Sequence, residues 1–335
     1  MSPKDGHHSH RFCVAPMIDW TDRYCRWVHR LLSAKARLYT EMVVDEAILH
    51  GDRDRLLGFD SAEHPVALQI GGSDPRKLAE VAAIGAQAGY DEINLNVGCP
   101  SDRVQSGRFG ACLMAEPETV AEGVRAMAAA VPCEVTVKCR IGIDDQSPEE
   151  ALPRFLDAVE AAGVRTVIVH ARKAWLEGLS PKENRTIPPL DYDLVVREAQ
   201  RRPALSFILN GGLAGGAAAE RWLTTFPGVM LGRAAYEQPF LLSEVDQRLF
   251  GAPPAARSRL EIVEAVADRA AAEAVPIWRY ARHMLGLYHG QPGAKTWRRQ
   301  LSEEGRSAKA CPAWLVDVAE TVSAKAEAPD RAPVA

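Results

Sequence analysis

The feature that most constrains the fold of this 335-residue chain is a strand-like segment followed by a helix-like one, repeated eight times. Alanine-rich stretches between the strand-like segments, such as 75–89 and 117–131, suit helices. The strand-like segments are 11–17, 36–42, 64–70, 92–97, 134–140, 166–172, 205–210 and 228–233. Eight such units in about 230 residues predict a (β/α)8 TIM barrel, and a doubly wound open sheet is the alternative.

The regular pattern stops at GAPPAARS, residues 251–258, where paired prolines interrupt it. The sequence after this break is helix-like, which predicts a second, all-α helical domain. We therefore expect a barrel domain over 11–250, a linker over 251–258 and a C-terminal helical domain over 259–322. The histidine-rich residues 1–10 and the polar residues 323–335 are predicted to be disordered tails.

The composition narrows the possible functions. No apolar run is long enough to span a bilayer, and the N-terminus lacks the apolar core of a secretory signal. Seven cysteines without a CxxC pair favour reduced thiols in a cytosol. The formal charge of -4 gives no global signal for nucleic acid, so such a signal has to be local. We expect a cytoplasmic protein with no metal site, no membrane contact and no obligate protein partner.

In a barrel of this kind the chemistry lies at the carboxyl ends of the strands. Lys138 is informative there, because a lysine within a barrel strand has to extend toward the mouth or find an ion-pair partner. His170 is equally compatible with a hydrogen-bonded core histidine. The strand ends carry Pro16, Met17, Gln69, Asn96, Cys99, Lys138, Arg140, His170, Arg172, Asn210, Gly232 and Arg233.

Two glycine-rich segments follow the seventh and eighth strands, NGGLAGG at 210–216 and GRAAY at 232–236. Glycines let backbone N–H groups approach an anion, and these two loops are the usual phosphate site of such barrels. Arg233 would add a charged contact. A phosphate there, with Lys138 and His170 across the mouth, fits FMN, because a lysine beside the pyrimidine edge stabilises negative charge on a reduced flavin.

The segment NLNVGCPSDR, residues 94–103, places a cysteine at the end of a buried strand. Gly98 and Pro100 mark a turn, and polar residues flank Cys99 on both sides. A thiol in such a place is a candidate for chemistry, whereas most of the other cysteines suit small buried hydrophobic residues.

The chain resembles the tRNA-dihydrouridine synthases, and most closely their bacterial DusA subgroup, from about residue 11 to 310. The motifs that carry this resemblance are APMIDWTD (15–22), ALQIGGSDP (67–75), EINLNVGCPSDRVQSGRFGACLM (92–114), TVKCRIGID (136–144), VHARKAWLEGLSPKENRTIPPLDY (169–192), LNGG (209–212) and MLGRAAY (230–236). The long segment around Cys99 is highly specific.

In this family NADPH reduces FMN, the reduced flavin passes a hydride to C6 of a uracil, and a cysteine protonates C5. The resemblance implies that Cys99 is this general acid. An ordinary thiol is protonated at neutral pH, as the role requires. The resemblance also implies that the target uridines are positions 20 and 20a of the D-loop of tRNA.

The remaining strand-end residues are assigned to cofactor and substrate by the same resemblance. Those that would line or hydrogen-bond the flavin ring are Pro16, Met17, Ile18, Gln69, Lys138 and His170. Those that would hold its phosphate are Asn210, Gly211, Gly212, Gly232 and Arg233. Asn96 would lie near the substrate base, and Lys182 and Arg185, in the loop after the sixth strand, would contact the tRNA backbone.

The C-terminal region contains one basic segment without acidic residues, PIWRYARHMLGLYHGQPGAKTWRRQL, residues 276–301. Arg298 and Arg299 carry its most concentrated charge. Its aromatic residues are Trp278, Tyr280, Tyr288 and Trp297. This pattern fits RNA binding with base stacking, and equally helices whose aromatic residues pack inward. The family resemblance favours RNA, so tRNA is the expected partner.

Two other functions stay open on the residues alone. A flavoenzyme similar to dihydroorotate dehydrogenase would use the same barrel and FMN site for a small free substrate. An aldolase-type barrel would use Lys138 to form a Schiff base and would bind no flavin. The basic C-terminal segment argues against the first, and bound flavin would argue against the second.

Overall fold

The structure, a computed structural model, describes residues 10–101, 107–253, 257–307 and 309–327. Within these residues eight parallel strands close into a barrel in sequence order, and the first strand pairs with the eighth. The closed sheet confirms the predicted (β/α)8 TIM barrel and excludes the open doubly wound sheet. The strands are β1 Phe12–Val14, β2 Arg37–Val44, β3 Val66–Gly71, β4 Glu92–Val97, β5 Glu134–Cys139, β6 Thr166–His170, β7 Ser206–Asn210 and β8 Gly228–Leu231.

The helices between the strands begin where the local sequence favours it. Three of them have proline in the first turn, where its missing N–H removes no helical hydrogen bond. Asp74 caps one helix by accepting from the backbone N–H groups of Arg76 and Lys77 at 2.8 and 3.2 Å. These helices are α1 Arg23–Leu32, α2 Asp45–His50, α3 Arg53–Leu57, α4 Pro75–Gln87, α5 Pro117–Ala130, α6 Pro148–Ala161, α7 Tyr192–Arg201 and α8 Gly216–Glu220.

The described residues form two compact units. The barrel unit takes those within Met1–Arg23 and Lys35–Gly232, and the helical unit takes those within Tyr24–Ala34 and Arg233–Ala335. These units divide the chain differently from the domain limits expected from the sequence, because most of α1 packs with helices that are remote in sequence. The predicted linker over 251–258 includes residues 254–256, which lie outside the described residues.

The contacts of α1 within the helical unit explain this division. The ring of Tyr24 lies 4.9 Å from the ring of Tyr280 in an edge-on arrangement. The hydroxyl of Ser33 and the backbone N–H of Ala34 donate to the two carboxylate oxygens of Asp246, at 2.5 and 2.7 Å. Periodicity within a segment carries no information about partners 200 or more positions away, so the sequence could not assign α1 to this unit.

The regular elements that the structure describes in the helical unit are all helices. Its further helices are α9 Arg233–Glu237, α10 Val245–Phe250, α11 Arg259–Ala272, α12 Trp278–Ala281, α13 Ala294–Glu304 and α14 Pro312–Glu327. Helix α11 begins at a capping box, in which Ser258 and Glu261 each accept the other's backbone N–H. Helix α14 packs against α11 and continues past residue 323, into the segment predicted as a tail, and residues 328–335 lie outside the described residues.

Three aromatic residues of the basic segment 276–301 are core residues of the helical unit. Tyr280, Tyr288 and Trp297 are almost fully buried, and the indole N–H of Trp297 donates to the carbonyl of Met284 at 2.7 Å. The expectation of stacking surfaces was therefore wrong for these three, because the helical unit needs their apolar area for its own packing.

None of the helices in the described segments has the length and hydropathy to cross a bilayer.

A buried ion-pair cluster lies at the amino-terminal end of the barrel strands. Glu92, the first residue of β4, is 0% exposed, and its Oε2 lies 2.8 Å from Nε2 of His10 and 3.1 Å from Nη1 of Arg37. The hydroxyls of Tyr39 and Thr136 donate to Oε1. Burial raises the pKa of Glu92, but the charge and hydrogen bond of His10, the charge of Arg37 and the Thr136 hydroxyl outweigh it and lower this pKa to about 2.

His10 belongs to the segment predicted as a disordered tail, yet it is buried against Glu92. His10 is ordered by its contact with Glu92, which lies on a strand 82 positions away, and the local sequence gives no sign of that partner. Residues 1–9 lie outside the described residues.

Candidate active site

The carboxyl ends of the strands meet at one mouth of the barrel. The parallel register places Asn96 of β4 beside Lys138 of β5. A Cβ added to Gly232, after β8, would lie 3.6 Å from Sδ of Met17, so the last strand ends beside the loop after β1. Strand-end residues that are far apart in sequence are thus neighbours at this mouth.

Cys99 lies in the loop directly after β4 and is partly exposed. The backbone N–H groups of Gly98 and Cys99 donate to Oδ1 of Asn96, at 3.1 and 3.0 Å. Because Oδ1 accepts two backbone donors, the amide group of Asn96 has only one orientation. The thiol of Cys99 donates to the hydroxyl of Ser101 at 3.5 Å; because S–H is a weak donor, this bond is easily exchanged when the proton is transferred.

A chain of side-chain hydrogen bonds runs from this loop through the barrel interior. Nδ2 of Asn96 donates to Oε1 of Gln69, and Nε2 of Gln69 donates to Oδ1 of Asn94, both at 2.8 Å. Nδ2 of Asn94 donates to the Thr136 hydroxyl at 2.7 Å, and that hydroxyl donates to Glu92. Every member of the chain except Asn96 is at most 1% exposed, so these bonds lie away from water.

The groups at the two ends of this series of hydrogen bonds determine the donor-to-acceptor direction of every bond in it. Backbone N–H groups at the mouth can only donate, and the ionised carboxylate of Glu92 can only accept. Each amide between them therefore has one favourable orientation, and Oε1 of Gln69 lies on the side of Asn96 while its Nε2 lies on the side of Asn94. The sequence signal for this series of hydrogen bonds is the alternation of polar residues 92, 94 and 96 in EINLNV, although of these three only Asn96 was predicted as a site residue.

Positive charge accumulates on the neighbouring strands. Lys138 is largely buried, and no carboxylate within the described part of the chain forms an ion pair with it. Burial, and to a lesser extent the charge of Arg140, together lower its pKa to about 8. The pKa of His170 lies well below its usual value because of burial and the charges of Arg140 and Lys138, so its imidazole is neutral at pH 7. Such a region favours an anionic ligand.

Arg140 connects the loop that carries Cys99 to the loop after β6. Its Nε donates to the carbonyl of Gly98 at 3.2 Å, and its Nη1 donates to the carbonyls of Lys173 and Asn184 at 3.2 and 2.9 Å. The side chain is nearly fully buried, and burial lowers its pKa to about 10, so it stays charged at neutral pH. The sequence marked Arg140 only as a strand-end residue, because its bonds to three remote carbonyls leave no local signal.

A glycine-lined cradle follows β7. Gly211 and Gly212 have φ of +107° and +66°, where L residues are strained. A Cβ on Gly211 would come within 2.5 Å of the His170 ring, so a side chain there would fill the space. The hydroxyl of Tyr192 donates a hydrogen bond to the carbonyl of Gly211 at 2.6 Å. Asn210, the last residue of β7, lies beside His170 of β6 in the sheet register. The cradle fits a phosphate group that approaches backbone without side-chain obstruction.

The other predicted residues lie in two places. In the barrel unit, Met17 is buried, Ile18 is 50% exposed, and Lys182 and Arg185 lie in the loop between β6 and α7. Pro16 precedes Met17 in the loop after β1. Arg233, Arg298 and Arg299 belong to the helical unit, where Arg233 begins α9 and the other two are exposed on α13.

A barrel with a cationic mouth, a glycine-lined cradle and a thiol held after β4 is the framework of an enzyme that binds an anionic cofactor beside a reactive cysteine. The family model described as dihydrouridine synthase (Dus) matches residues 13–325. The chain belongs to this family, and the match confirms the resemblance found in the sequence.

Relatives with the name tRNA-dihydrouridine(20/20a) synthase cover most of the chain. The Xanthomonas campestris pv. campestris protein is 55% identical over 298 residues, which is 88% of each chain. The Shewanella oneidensis protein is 55% identical over 295 residues, 87% of this chain and 88% of the relative. The Vibrio cholerae protein is 51% identical over 322 residues, 95% of this chain and 97% of the relative.

Proposed function

We propose that this protein reduces uridine to 5,6-dihydrouridine in the D-loop of tRNA, at positions 20 and 20a, with FMN as bound cofactor and NADPH as electron donor. The observation that carries the proposal is the placement of Cys99, whose backbone is anchored on Asn96 beside Lys138. Family membership and the names of its relatives support the reaction and the target positions.

The residues at the mouth fit a flavin nucleotide. The glycine cradle at Asn210, Gly211 and Gly212, with Gly232, would hold the phosphate, and Arg233 would add its charge. The ring-binding residues would be Pro16, Met17, Ile18, Gln69, Lys138 and His170. Bound there, FMN supplies the hydride that reduces C6 of the uracil. The cationic and neutral polar groups at the mouth are those that a reduced, anionic flavin requires.

Cys99 completes the reduction by donating its S–H proton to C5 of the uracil. The sulfur is then left negative, and the charges of Lys138 and Arg140, both within electrostatic range of Cys99, stabilise it. Asn96 keeps the Cys99 backbone in place, so the thiol needs no reorganisation before transfer. The proposed tRNA contacts are Lys182 and Arg185 in the barrel unit and Arg298 and Arg299 in the helical unit.

We infer that the enzyme acts in the cytoplasm, where its tRNA substrate is made. The seven free thiols of the chain are consistent with a reducing compartment. No obligate protein partner is part of the proposal.

The function is tested with the purified protein, FMN, NADPH and an unmodified tRNA transcript. We expect 5,6-dihydrouridine at positions 20 and 20a, detected by nucleoside mass spectrometry, and none from free uridine. Equal activity on free uridine would instead support a dihydroorotate-dehydrogenase-like enzyme. Borohydride should trap no substrate on Lys138, and a trapped lysine adduct would overturn the flavin mechanism in favour of a Schiff base.

Replacing both Arg298 and Arg299 by alanine should weaken tRNA binding and its salt dependence. Each phosphate contact contributes about 0.7 to 0.9 to the slope of log affinity against log salt, so the slope should fall by about one to two units. Both side chains are exposed on α13, which makes them accessible to a phosphate backbone. Binding is measured by fluorescence anisotropy of labelled tRNA at several salt concentrations.

The matched control is alanine at Arg125 and Arg197, which are exposed on barrel helices α5 and α7. It removes the same charge and should leave the slope unchanged. If the α13 variant keeps the native affinity and slope, these arginines are not part of the RNA path.

FMN affinity should fall as the pH rises through about 8, because Lys138 has a pKa of about 8 in the free protein. Below this pH the lysine is already charged and can bind the electron-poor, oxygen-bearing edge of the flavin ring; above it, that charged contact requires proton uptake, which weakens affinity by up to about tenfold per pH unit. The second phosphate ionisation, near pH 6, is complete over this range. Flavin fluorescence titrations from about pH 7 to 9.5 measure the effect.

Lys138→Arg keeps its charge over this range and should show a flat profile. Lys138→Met should bind weakly at every pH. If native protein and Lys138→Arg share the same pH profile, the titrating group is not Lys138.

A further inference from the structure

Trp175 is an exposed aromatic residue that the proposed function does not use. It is 37% exposed, one of three large apolar side chains that are exposed within the described residues. It lies in the loop between β6 and α7, the same loop that carries Lys182 and Arg185. The ammonium group of Lys173 lies 5.1 Å from the centroid of the indole ring, which stabilises one orientation of the ring.

The backbone around Trp175 is held on both sides. Asn184, which is fully buried, accepts the N–H of Trp175 and donates to its carbonyl, both at 2.8 Å. The preceding residue, Ala174, donates to the carbonyl of Gly142 at 3.0 Å, and the N–H of Leu176 donates to Asp144 at 2.8 Å. Three consecutive residues are therefore fixed while the large side chain that they carry faces water. The buried anchor gives the partly exposed indole a fixed position, as a preorganised contact residue requires.

The same loop is tied to the catalytic cysteine. Arg140 donates to the carbonyl of Asn184, which anchors Trp175, and to the carbonyl of Lys173, two positions before Trp175. It also donates to the carbonyl of Gly98, next to Cys99. One buried guanidinium therefore fixes the loop of the indole relative to the loop of the thiol. A substrate that reacts at Cys99 therefore meets Trp175 at a fixed position relative to the thiol.

We propose that Trp175 is a stacking platform for an unpaired base of the substrate RNA, beside the uridine that reacts at Cys99. The uridine has to leave its stack to reach a barrel mouth, and its neighbours then lose stacking partners, at a cost of a few kcal/mol. An indole held in place replaces such a stacking partner without ordering a flexible side chain. The same loop carries Lys173, Lys182 and Arg185, whose positive charges complement the negative charges of the flanking phosphates. This inference rests on the proposed function, because it takes tRNA as the substrate.

The test compares Trp175→Ala, Trp175→Leu and Trp175→Phe on full-length tRNA. Base stacking on an aromatic residue contributes about 1–3 kcal/mol, so Trp175→Ala should lower kcat/KM for dihydrouridine formation by about 5- to 150-fold. Phenylalanine keeps an aromatic face and should restore most of this loss. Leucine keeps apolar area without a π face and should behave like alanine. Flavin reduction by NADPH without tRNA should equal that of the native protein in all three.

Two outcomes overturn the stacking platform: native kcat/KM in Trp175→Ala, or equal rescue by leucine and phenylalanine, which would show that the residue only fills space. A direct readout is the quenching of indole fluorescence by tRNA, which should be smaller in Trp175→Phe than in the native protein. If the native protein itself forms no dihydrouridine, the proposed function fails rather than this inference.

Discussion

Cys99→Ala is expected to bind flavin and to accept electrons from NADPH at the native rate, yet to form dihydrouridine about 10²–10⁴ times more slowly. The thiol acts on the uracil alone, so its removal leaves the chemistry between NADPH and flavin intact. Its backbone stays anchored, because alanine keeps the backbone N–H that donates to Oδ1 of Asn96. Single-turnover reduction of tRNA by the prereduced enzyme measures the proton-transfer defect.

Two further variants identify the cause of that loss. Cys99→Ser keeps the size of the side chain but replaces the thiol by a far weaker acid, so it should be nearly as slow as alanine. Cys112→Ala is the matched control: Cys112 is also partly exposed after β4, and its thiol donates to the carbonyl of Phe109 at 3.1 Å. It should stay within about threefold of native activity. A normal rate for Cys99→Ala would assign the proton to another residue.

The barrel was predictable because its strands carry their signal locally. Strands β3 and β4 are buried on both faces: β3 is a nearly continuous apolar run, β4 has an apolar residue at every second position, and the turns between strands need glycine and proline. Cys99 was identifiable for a related reason, since a thiol after such a run lies at the mouth once the strands are parallel. The family resemblance supplied the roles of the residues, which spacing alone does not provide.

What the sequence could not show depends on partners that are distant along the chain. Arg140 acts through three carbonyls on other loops, and Tyr280 packs against α1, more than 200 positions away. Trp297 shows the same limit, because a tryptophan between basic residues has the same local pattern whether it faces RNA or the core. Only the tertiary packing decides between these alternatives.

The polar chain behind Cys99 gives the buried cluster at the amino-terminal end of the barrel a role in both stability and orientation. Glu92 accepts the last hydrogen bond of that chain and also forms the ion pairs with His10 and Arg37. The amides of Asn94, Gln69 and Asn96 take their direction from this carboxylate and from the backbone of Cys99, so the carboxylate acts through the hydrogen bonds that connect it to the mouth as well as through its charge.

Glu92→Gln is expected to lower the free energy of unfolding by about 3–5 kcal/mol, because it removes, at nearly constant volume, the carboxylate charge that lies 3.1 Å from Nη1 of the buried Arg37. The matched control is Glu134→Gln. Glu134 is opposite Glu92 in the β4–β5 register but is exposed, and it accepts one hydrogen bond from Thr166 at 2.6 Å. Glutamine keeps an acceptor oxygen for this bond, so the change should cost at most about 0.5–1.5 kcal/mol. Urea denaturation followed by circular dichroism gives both values.

The stability difference between the native protein and Glu92→Gln should also depend on pH in one direction. The folded state lowers the pKa of Glu92 from 4.5 to about 2, so its stabilising contribution is complete above pH 4.5 and is lost as the pH falls from there to about 2. Glutamine does not titrate, so the two denaturation midpoints should approach each other on acidification, whereas Glu134→Gln should follow the native protein throughout. A gap between native and Glu92→Gln that stays constant from about pH 7 to 3 would show that the carboxylate charge is not what stabilises this end of the barrel.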